Sequence, residues 1–405
     1  MAELTIEAMG ARGEGIARTG DGAPVYVAYS LPGERVDAVL KGDRAQLISI
    51  VEPSVERIEP VCAHFGKCGG CQLQHWAGEP YAAWKRQLVV DALSRRGLED
   101  VEVTTLVDAH GAGRRRVTMT VEKGRAGFSA HRSHDHVSVD QCPVLVKELT
   151  KAPQIAEMLV RALKLRKPQR VHLLATDSGI DCELPGVDDP ELEQRMLIAQ
   201  VAEQFDLARV TASGETLIER RQPVIKVGEA YVMPPPGGFA QATSAGENAL
   251  AGLVLEALDG HGVVADLFSG WGAFGLRLAT RCRVLAIDSD RAAIMALDKV
   301  LRATTGIKPV VARVHDLMRD PLTGPELKGI TGVVFDPPRA GAAAQAAELV
   351  RATSVTTVVG VSCDTGTFAR DAAVLVSGGF HLQRVVPVDQ FKYTAHVEMV
   401  GVFSR

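Results

Sequence analysis

Two parts of this 405-residue sequence carry groups able to do chemistry. One is a lone thiol, Cys363, in VVGVSCDTGTFARD, where an apolar run gives way to a helix-forming stretch. A thiol at a helix N-terminus has its thiolate favoured by the helix dipole, which lowers its pKa. Asp364 opposes that effect and is also placed to cap the helix. The other is CAHFGKCGGC, three cysteines within ten residues of a chain that has seven in all. In a reducing compartment such clustering points to metal ligation or catalysis rather than disulfides, and the odd total agrees.

A glycine loop adds a ligand. DLFSGWGAFG places Gly270, Gly272 and Gly275 as G-x-G-x-x-G after an apolar run, and Asp288 ends the next such run. That is a dinucleotide fingerprint. Asp266 at the tip of the first run, however, suits a cationic ligand better than a pyrophosphate, and S-adenosylmethionine carries an ammonium and a sulfonium. The loop backbone at Phe268, Gly270 and Gly272 would approach its methionine part, while Asp288 accepts the ribose hydroxyls. A nicotinamide dinucleotide, or a tight turn that binds nothing, remains an alternative. In FDPPRAG two prolines stiffen the backbone after Asp336, and Arg339 offers a donor fork where a substrate base would enter. Otherwise the same residues form a stiff surface loop.

Thiol, methyl donor and Glu398, in the C-terminal HVEMV, suit one reaction. Carbon 5 of a pyrimidine is a weak nucleophile until a thiolate adds at carbon 6. A base must later remove the carbon 5 proton so that the thiolate can leave. Cys363 is then the nucleophile and Glu398 the base; a buried structural cysteine and a strand-edge acid are the plainer readings.

These groups need a scaffold. After MPPPGGF, apolar runs ending in polar residues (GVVADLFSG, VLAIDSD, VVARVHD, GVVFDPPR, TVVGVSCD) alternate with Ala-rich helical stretches. Strands buried on both faces and separated by helices imply a doubly wound parallel sheet, with ligands at the carboxyl ends of its strands. Residues 3–52 alternate short apolar runs with turns such as TGDGAP and KGDR, the pattern of a small all-β barrel. In between, 76–96 and 143–163 have helical character, and RRRVTMTVEKGRAGFSAH reads as a hairpin turning at KGR. The expected units are a barrel at 1–55, a central α+β unit at 56–238 and the α/β unit at 239–405. A net charge of −4 excludes a globally basic nucleic-acid binder but leaves a local patch at Arg114, Arg115 and Arg116. The start of the chain lacks a leader pattern and no run of about 18 apolar residues occurs, so a soluble, cytoplasmic protein is expected.

Together these motifs resemble the bacterial RNA 5-methyluridine methyltransferases, in particular the iron–sulfur branch that modifies 23S ribosomal RNA, over nearly the whole chain. The match lies in FAQ at 239–241, DPPR at 336–339, SC at 362–363, HVE at 396–398 and the spacing C-x5-C-x2-C. The resemblance implies a Rossmann-like class I methyltransferase domain, an N-terminal OB-like barrel of the TRAM kind and a central α+β iron–sulfur domain. It implies S-adenosylmethionine as donor, contacted by Gln241, with Phe239 against the flipped nucleotide. Cys62, Cys68, Cys71 and the distant Cys142 match the ligands of a [4Fe–4S] cluster, with a zinc knot as the alternative; Cys182 and Cys282 read as core residues. Asp364 and Thr365 stand where the family usually has Asn-Pro. The expected partner is RNA, 23S rRNA foremost, presented as a loop or unpaired segment and tracked by the barrel and the arginine patch, with the protein a monomer. Alternatives are a transfer RNA uridine, cytosine C5 methylation, a reductase pairing NAD with the cluster, and a non-catalytic RNA-binding scaffold.

Overall fold

The computed structural model of the protein describes residues 1–165 and 167–405. Three sheets carry most of the described strands. The first has six strands within residues 2–52. Its opening segment, 2–9, pairs at its start with Arg35–Lys41 and at its end with Glu14–Arg18, so the sheet curls round to meet its own first strand. Alternate residues, among them Val25, Val27, Val36 and Ala38, turn inward as the period of two requires.

The second sheet has seven strands and includes the hairpin of Arg116–Glu122 and Arg125–Ser129. Its two-residue turn is Lys123 and Gly124, both at positive φ (51° and 78°), the twist that lets two strands return on themselves. Helix Ala152–Ala162 covers this sheet with Ile155, Ala156 and Leu159.

The third sheet is built as the run of apolar segments requires. Val310–Val314, Arg283–Asp288, Val263–Leu267, Gly332–Phe335 and Thr357–Ser362 lie side by side and parallel. Glu398–Ser404 follows antiparallel to Thr357–Ser362, then His381–Asp389. Val264, Ala265, Val333 and Val359 are fully buried, as strands covered on both faces must be. The covering helices start at polar caps. Thr243 accepts the Gly246 N–H (2.8 Å), Asp290 the Ala292 N–H (2.8 Å) and Asp364 the Thr367 N–H (2.9 Å).

Part of the chain before the hairpin belongs to this third layer. Helix Gly78–Ser94 packs Val89, Ala92 and Leu93 into its core, and Val107–Asp108 adds an edge strand beside His381–Asp389. From that helix the Lys85 ammonium, wholly buried, donates to Asp389 (2.6 Å) and to the His396 carbonyl (2.6 Å). The Tyr81 hydroxyl donates to the other Asp389 oxygen (2.7 Å) and accepts the Tyr393 N–H (2.9 Å). Burial pulls the Lys85 pKa down to about 8 against the raising effect of Asp389. The loop joining the last two strands is thereby fastened to a helix some 300 residues earlier. Among the described residues no helix is long and apolar enough to cross a membrane.

Removing one member of a buried pair leaves the other charge without compensation. Lys85→Met should therefore lower unfolding free energy by about 3–5 kcal/mol in urea titration. A loss below about 1 kcal/mol would show that the pair does not hold this loop.

Candidate active site

The strand order of the third sheet reverses between Val263–Leu267 and Gly332–Phe335, and a crevice opens there at the carboxyl ends. It is a cavity of about 560 Å³ whose walls include Phe268, Gly270, Asp288, Asp336, Arg339 and Cys363. The glycine loop bends through three residues at positive φ: Phe268 (62°), Gly270 (53°) and Gly272 (93°). A side chain is strained at that angle, so Phe268 marks a loop held in shape by its surroundings. At Gly272 a Cβ would also meet Leu297 at 2.8 Å. Asp288 ties the loop down by accepting the Gly270 N–H (2.8 Å) and, through its other oxygen, the Asp290 N–H (2.8 Å).

Asp266 differs from expectation. It does not face the cavity; it lies fully buried beneath the loop, where it accepts the Gly275 N–H (2.7 Å) while its other oxygen has no partner. The reason is local: Gly275 opens the short helix Gly275–Leu278, whose first N–H groups need an acceptor. Burial pushes this carboxyl up to about 8. Asp266 thus braces the loop rather than meeting a ligand.

The pairing of the last strands brings Cys363 and Glu398, the expected nucleophile and base, to one rim of the sheet. Ser362 pairs with Met399, so one step further along the same register sets Cys363 opposite Glu398. Glu398 is 5% exposed. Burial first, and then the Asp336 charge, push its carboxyl up to about 8. Burial likewise lifts Asp336, to about 7, against the Gln241 hydrogen bond. The Cys363 thiol is raised, by burial and then by Glu398, while Arg339 pulls it back by charge and hydrogen bonding. The lowering expected from the helix dipole does not prevail. Arg339 is in turn seated by His396, whose ring nitrogen accepts from its guanidinium (3.2 Å). Burial, and then Arg339, depress the His396 pKa and favour the neutral acceptor.

The three consecutive arginines part company. Arg115 is buried, bound to Glu247 and to the Gln241 carbonyl (3.1 Å), and has no free face for RNA. Arg114 lies over the Phe391 ring and donates to the Lys392 carbonyl (3.4 Å). Arg116 reaches the cavity and stacks on Phe239 (4.5 Å), itself 62% exposed. Gln241 is also on the wall, donating to Asp336 (3.2 Å). Sequence reasoning passed over Asp316, a wall residue just beyond the Val310–Val314 strand that the strand-end rule singles out. It also missed Gln390, which no local pattern marks.

Cys62, Cys68, Cys71 and Cys142 all open onto a second cavity of about 440 Å³, which shares Arg116, Phe239 and Phe391 with the first. His64 and Asp140 (2.7 Å) join the two cysteine-bearing loops, and the Gly69 N–H donates to the Ser129 carbonyl (3.0 Å) at the hairpin's end. Burial pushes the Cys142 thiol up to about 12, with the other three thiols adding to the effect. A bound cation would reverse that effect. Among the described residues no three Cys, His, Asp or Glu side chains converge closely enough for one metal ion. Cys182 and Cys282 are buried in the cores, as expected.

The family model described as tRNA (Uracil-5-)-methyltransferase matches residues 233–405. A protein of Caulobacter vibrioides, named as an uncharacterized RNA methyltransferase, is 44% identical over 100% of both chains. The 23S rRNA (uracil(1939)-C(5))-methyltransferase of Chromohalobacter salexigens is 33% identical, over 99% of this chain and 89% of its own. The tRNA (uracil-54, C5)-methyltransferase of Pyrococcus abyssi, solved with S-adenosyl-L-homocysteine, superposes with a TM-score of 0.78 over 99% of both chains at 21% identity. That likeness gives the fold, an α/β class I methyltransferase.

The two enclosed carboxyls should titrate far above the usual carboxylate range. Carbon-13 NMR of labelled side chains, assigned with Glu398→Gln, should place the Glu398 midpoint at about 8. A midpoint of about 4 to 5 would mean that solvent reaches it freely.

Proposed function

The chain belongs to the RNA uracil-5-methyltransferase family, and on that premise we propose that it methylates carbon 5 of a uridine in 23S ribosomal RNA through a covalent bond to Cys363. The observation that carries this reading is the placing of Cys363 opposite Glu398 at the rim of a cavity that also holds the glycine loop.

S-adenosylmethionine, when bound, supplies an electrophilic methyl; Phe268, Gly270, Gln241, Asp288 and Asp336 are the residues that would hold it. The enclosed acids suit its positive charge. The chain's own work lies on either side of that transfer. The Cys363 thiolate adds to carbon 6 of the uracil and makes carbon 5 nucleophilic. Arg339 favours the thiolate. Once carbon 5 carries the methyl, the Glu398 carboxylate takes its proton, the Cys363–carbon 6 bond breaks and the ring double bond returns. A carboxyl lifted towards neutrality is a better base for that proton than an ordinary one.

The base must leave its stack to reach Cys363, which favours a loop or unpaired RNA segment. Arg116 on exposed Phe239 marks where the strand would pass, with the barrel at 1–55 as a TRAM-like second contact. The units at 56–238 and 239–405 would be the iron–sulfur and methyltransferase domains, the former lending helix Gly78–Ser94 to the latter's core. The relative that acts on 23S rRNA supports that substrate over transfer RNA. The four thiols line one cavity, and all-thiolate ligation suits a [4Fe–4S] cluster, with zinc as the alternative. Methyl transfer needs no redox step, so its place is structural, stapling the hairpin to the Cys62–Cys71 loop. The protein is taken as a cytoplasmic monomer.

Ribosomal RNA tritiated at uridine carbon 5 should release tritium only with S-adenosylmethionine present, and transfer RNA should not. Cys363→Ala should cut turnover by at least about 10³-fold, and Glu398→Gln should accumulate a covalent RNA adduct. Multiple turnover by either variant would remove that residue from its role. Protein isolated without oxygen should contain about four irons per chain, whereas one zinc would overturn the cluster.

A further inference from the structure

Between the base and the cavity wall lies a side chain that the reaction itself does not use. Gln390 is fully buried, in the loop fastened by Lys85. Its Nε2 donates to Gln241 Oε1 (2.7 Å) and to Glu398 Oε1 (3.1 Å), and its Oε1 accepts the Thr243 N–H (3.4 Å). Gln241 then donates its own Nε2 to Asp336 Oδ2 (3.2 Å). The site is built for this side chain: a Cβ on Gly246, in the first turn of helix Ser244–Ala257, would meet Gln390 Cβ at 2.8 Å and its Oε1 at 2.9 Å.

The direction of this chain of hydrogen bonds is fixed from outside. A backbone N–H only donates, so it can meet an amide only at its oxygen. Thr243 therefore fixes the oxygen of Gln390 on one side, and Glu398 draws its two hydrogens to the other. One hydrogen goes to Glu398, which leaves one for Gln241. Gln241 must meet it with its oxygen, so its amino group faces Asp336 and the cavity.

We propose that Gln390 is a positioning residue that locks the Gln241 amide and so selects uracil over cytosine. The inference rests on the pyrimidine C5 reading and deepens it. Uracil offers a carbonyl at carbon 4 and an N–H at position 3; cytosine offers an amino group and a bare nitrogen. A locked amino donor on Gln241 beside a carboxylate at Asp336 complements uracil and leaves cytosine with donor against donor. A buried site that leaves polar groups unpaired discriminates far more strongly than one that merely fits a shape. Free rotation of Gln241 would abolish the distinction, since a flipped amide presents its oxygen to a cytosine amino group. Gln390 thus serves two ends, orienting Gln241 and stabilising ionised Glu398.

Gln390→Glu tests the lock. A carboxyl brings at most one hydrogen to two acceptors, so Gln241 should flip. With paired RNA fragments carrying uridine or cytidine at the modified position, the ratio of 5-methylcytidine to 5-methyluridine should rise at least about tenfold over wild type. Gln390→Met, which removes both donations, should lose selectivity without reversing it. It should also shift the pH–rate limb of Glu398 to higher pH, because a hydrogen bond to the charged form has been lost. Circular dichroism and an unchanged urea midpoint show that each variant is folded. An unchanged base ratio in folded, active Gln390→Glu would overturn the proposal. Neutron diffraction tests the lock even without turnover: Gln241 deuterons should face Asp336 in the wild type and Gln390 in Gln390→Glu, and an unflipped amide in the variant would refute it. Failure of the wild type to methylate any uridine RNA would instead count against the reading beneath it.

Discussion

The site depends on the antiparallel pairing of Glu398–Ser404 with Thr357–Ser362. The parallel strands all end at one rim of the sheet, and only a strand running the other way can begin there. That places Glu398, the first residue of the closing strand, beside Cys363, the residue after the last parallel one. The register is held by the pair Gly360 and Gly401. A Cβ on Gly401 would meet the Phe368 ring at 2.6 Å and one on Gly360 the Phe335 ring at 3.3 Å. Sliding the strand by one residue would put Val400 or Val402 under the Phe368 ring and carry Glu398 away from the thiol.

The same pairing leaves a loop between the last two strands, and the rest of the molecule exists in part to hold it. Lys85 and Tyr81 grip it from a helix whose other face lies in the methyltransferase core. From the cysteine-bearing segment, the Gln72 and Leu73 N–H groups both donate to the Tyr393 carbonyl (2.8 and 3.1 Å), where the backbone takes a positive φ of 67°. The loop that bears Cys62, Cys68 and Cys71 and the loop that leads to Glu398 are thus joined by main-chain hydrogen bonds. This gives the central segment a positional bearing on the site even where it supplies no reacting group.

Electrostatics complete the arrangement. Asp336 and Glu398 share one enclosure; burial lifts both carboxyls, and the Asp336 charge adds repulsion at Glu398. A cationic methyl donor in the cavity would relieve that repulsion. The guanidinium of Arg339, seated on neutral His396, sets a compensating charge beside the thiol. Cys363 and Glu398 therefore sit in one field, in which the Glu398 charge raises the thiol and Arg339 lowers it.

Much of this was legible in the chain because it is encoded over short distances. Apolar runs ending in Asp266, Asp288, Asp336 and Cys363 declare buried strands and their carboxyl ends. Asp364 declares a helix start through a hydrogen bond spanning three residues. Gly270 and Gly272 declare a turn that needs positive φ. What the tertiary structure decided was every relation between segments far apart in the chain. Three adjacent arginines look alike in sequence, yet the strand's pleat and its neighbours bury Arg115 against Glu247 and leave Arg116 at the cavity. Asp266 sits where a ligand-binding acid should, yet its carboxylate serves the backbone of the next turn. Gln390 carries no mark at all, because a buried amide acquires its meaning only from the acceptors and donors that folding brings to either end of it.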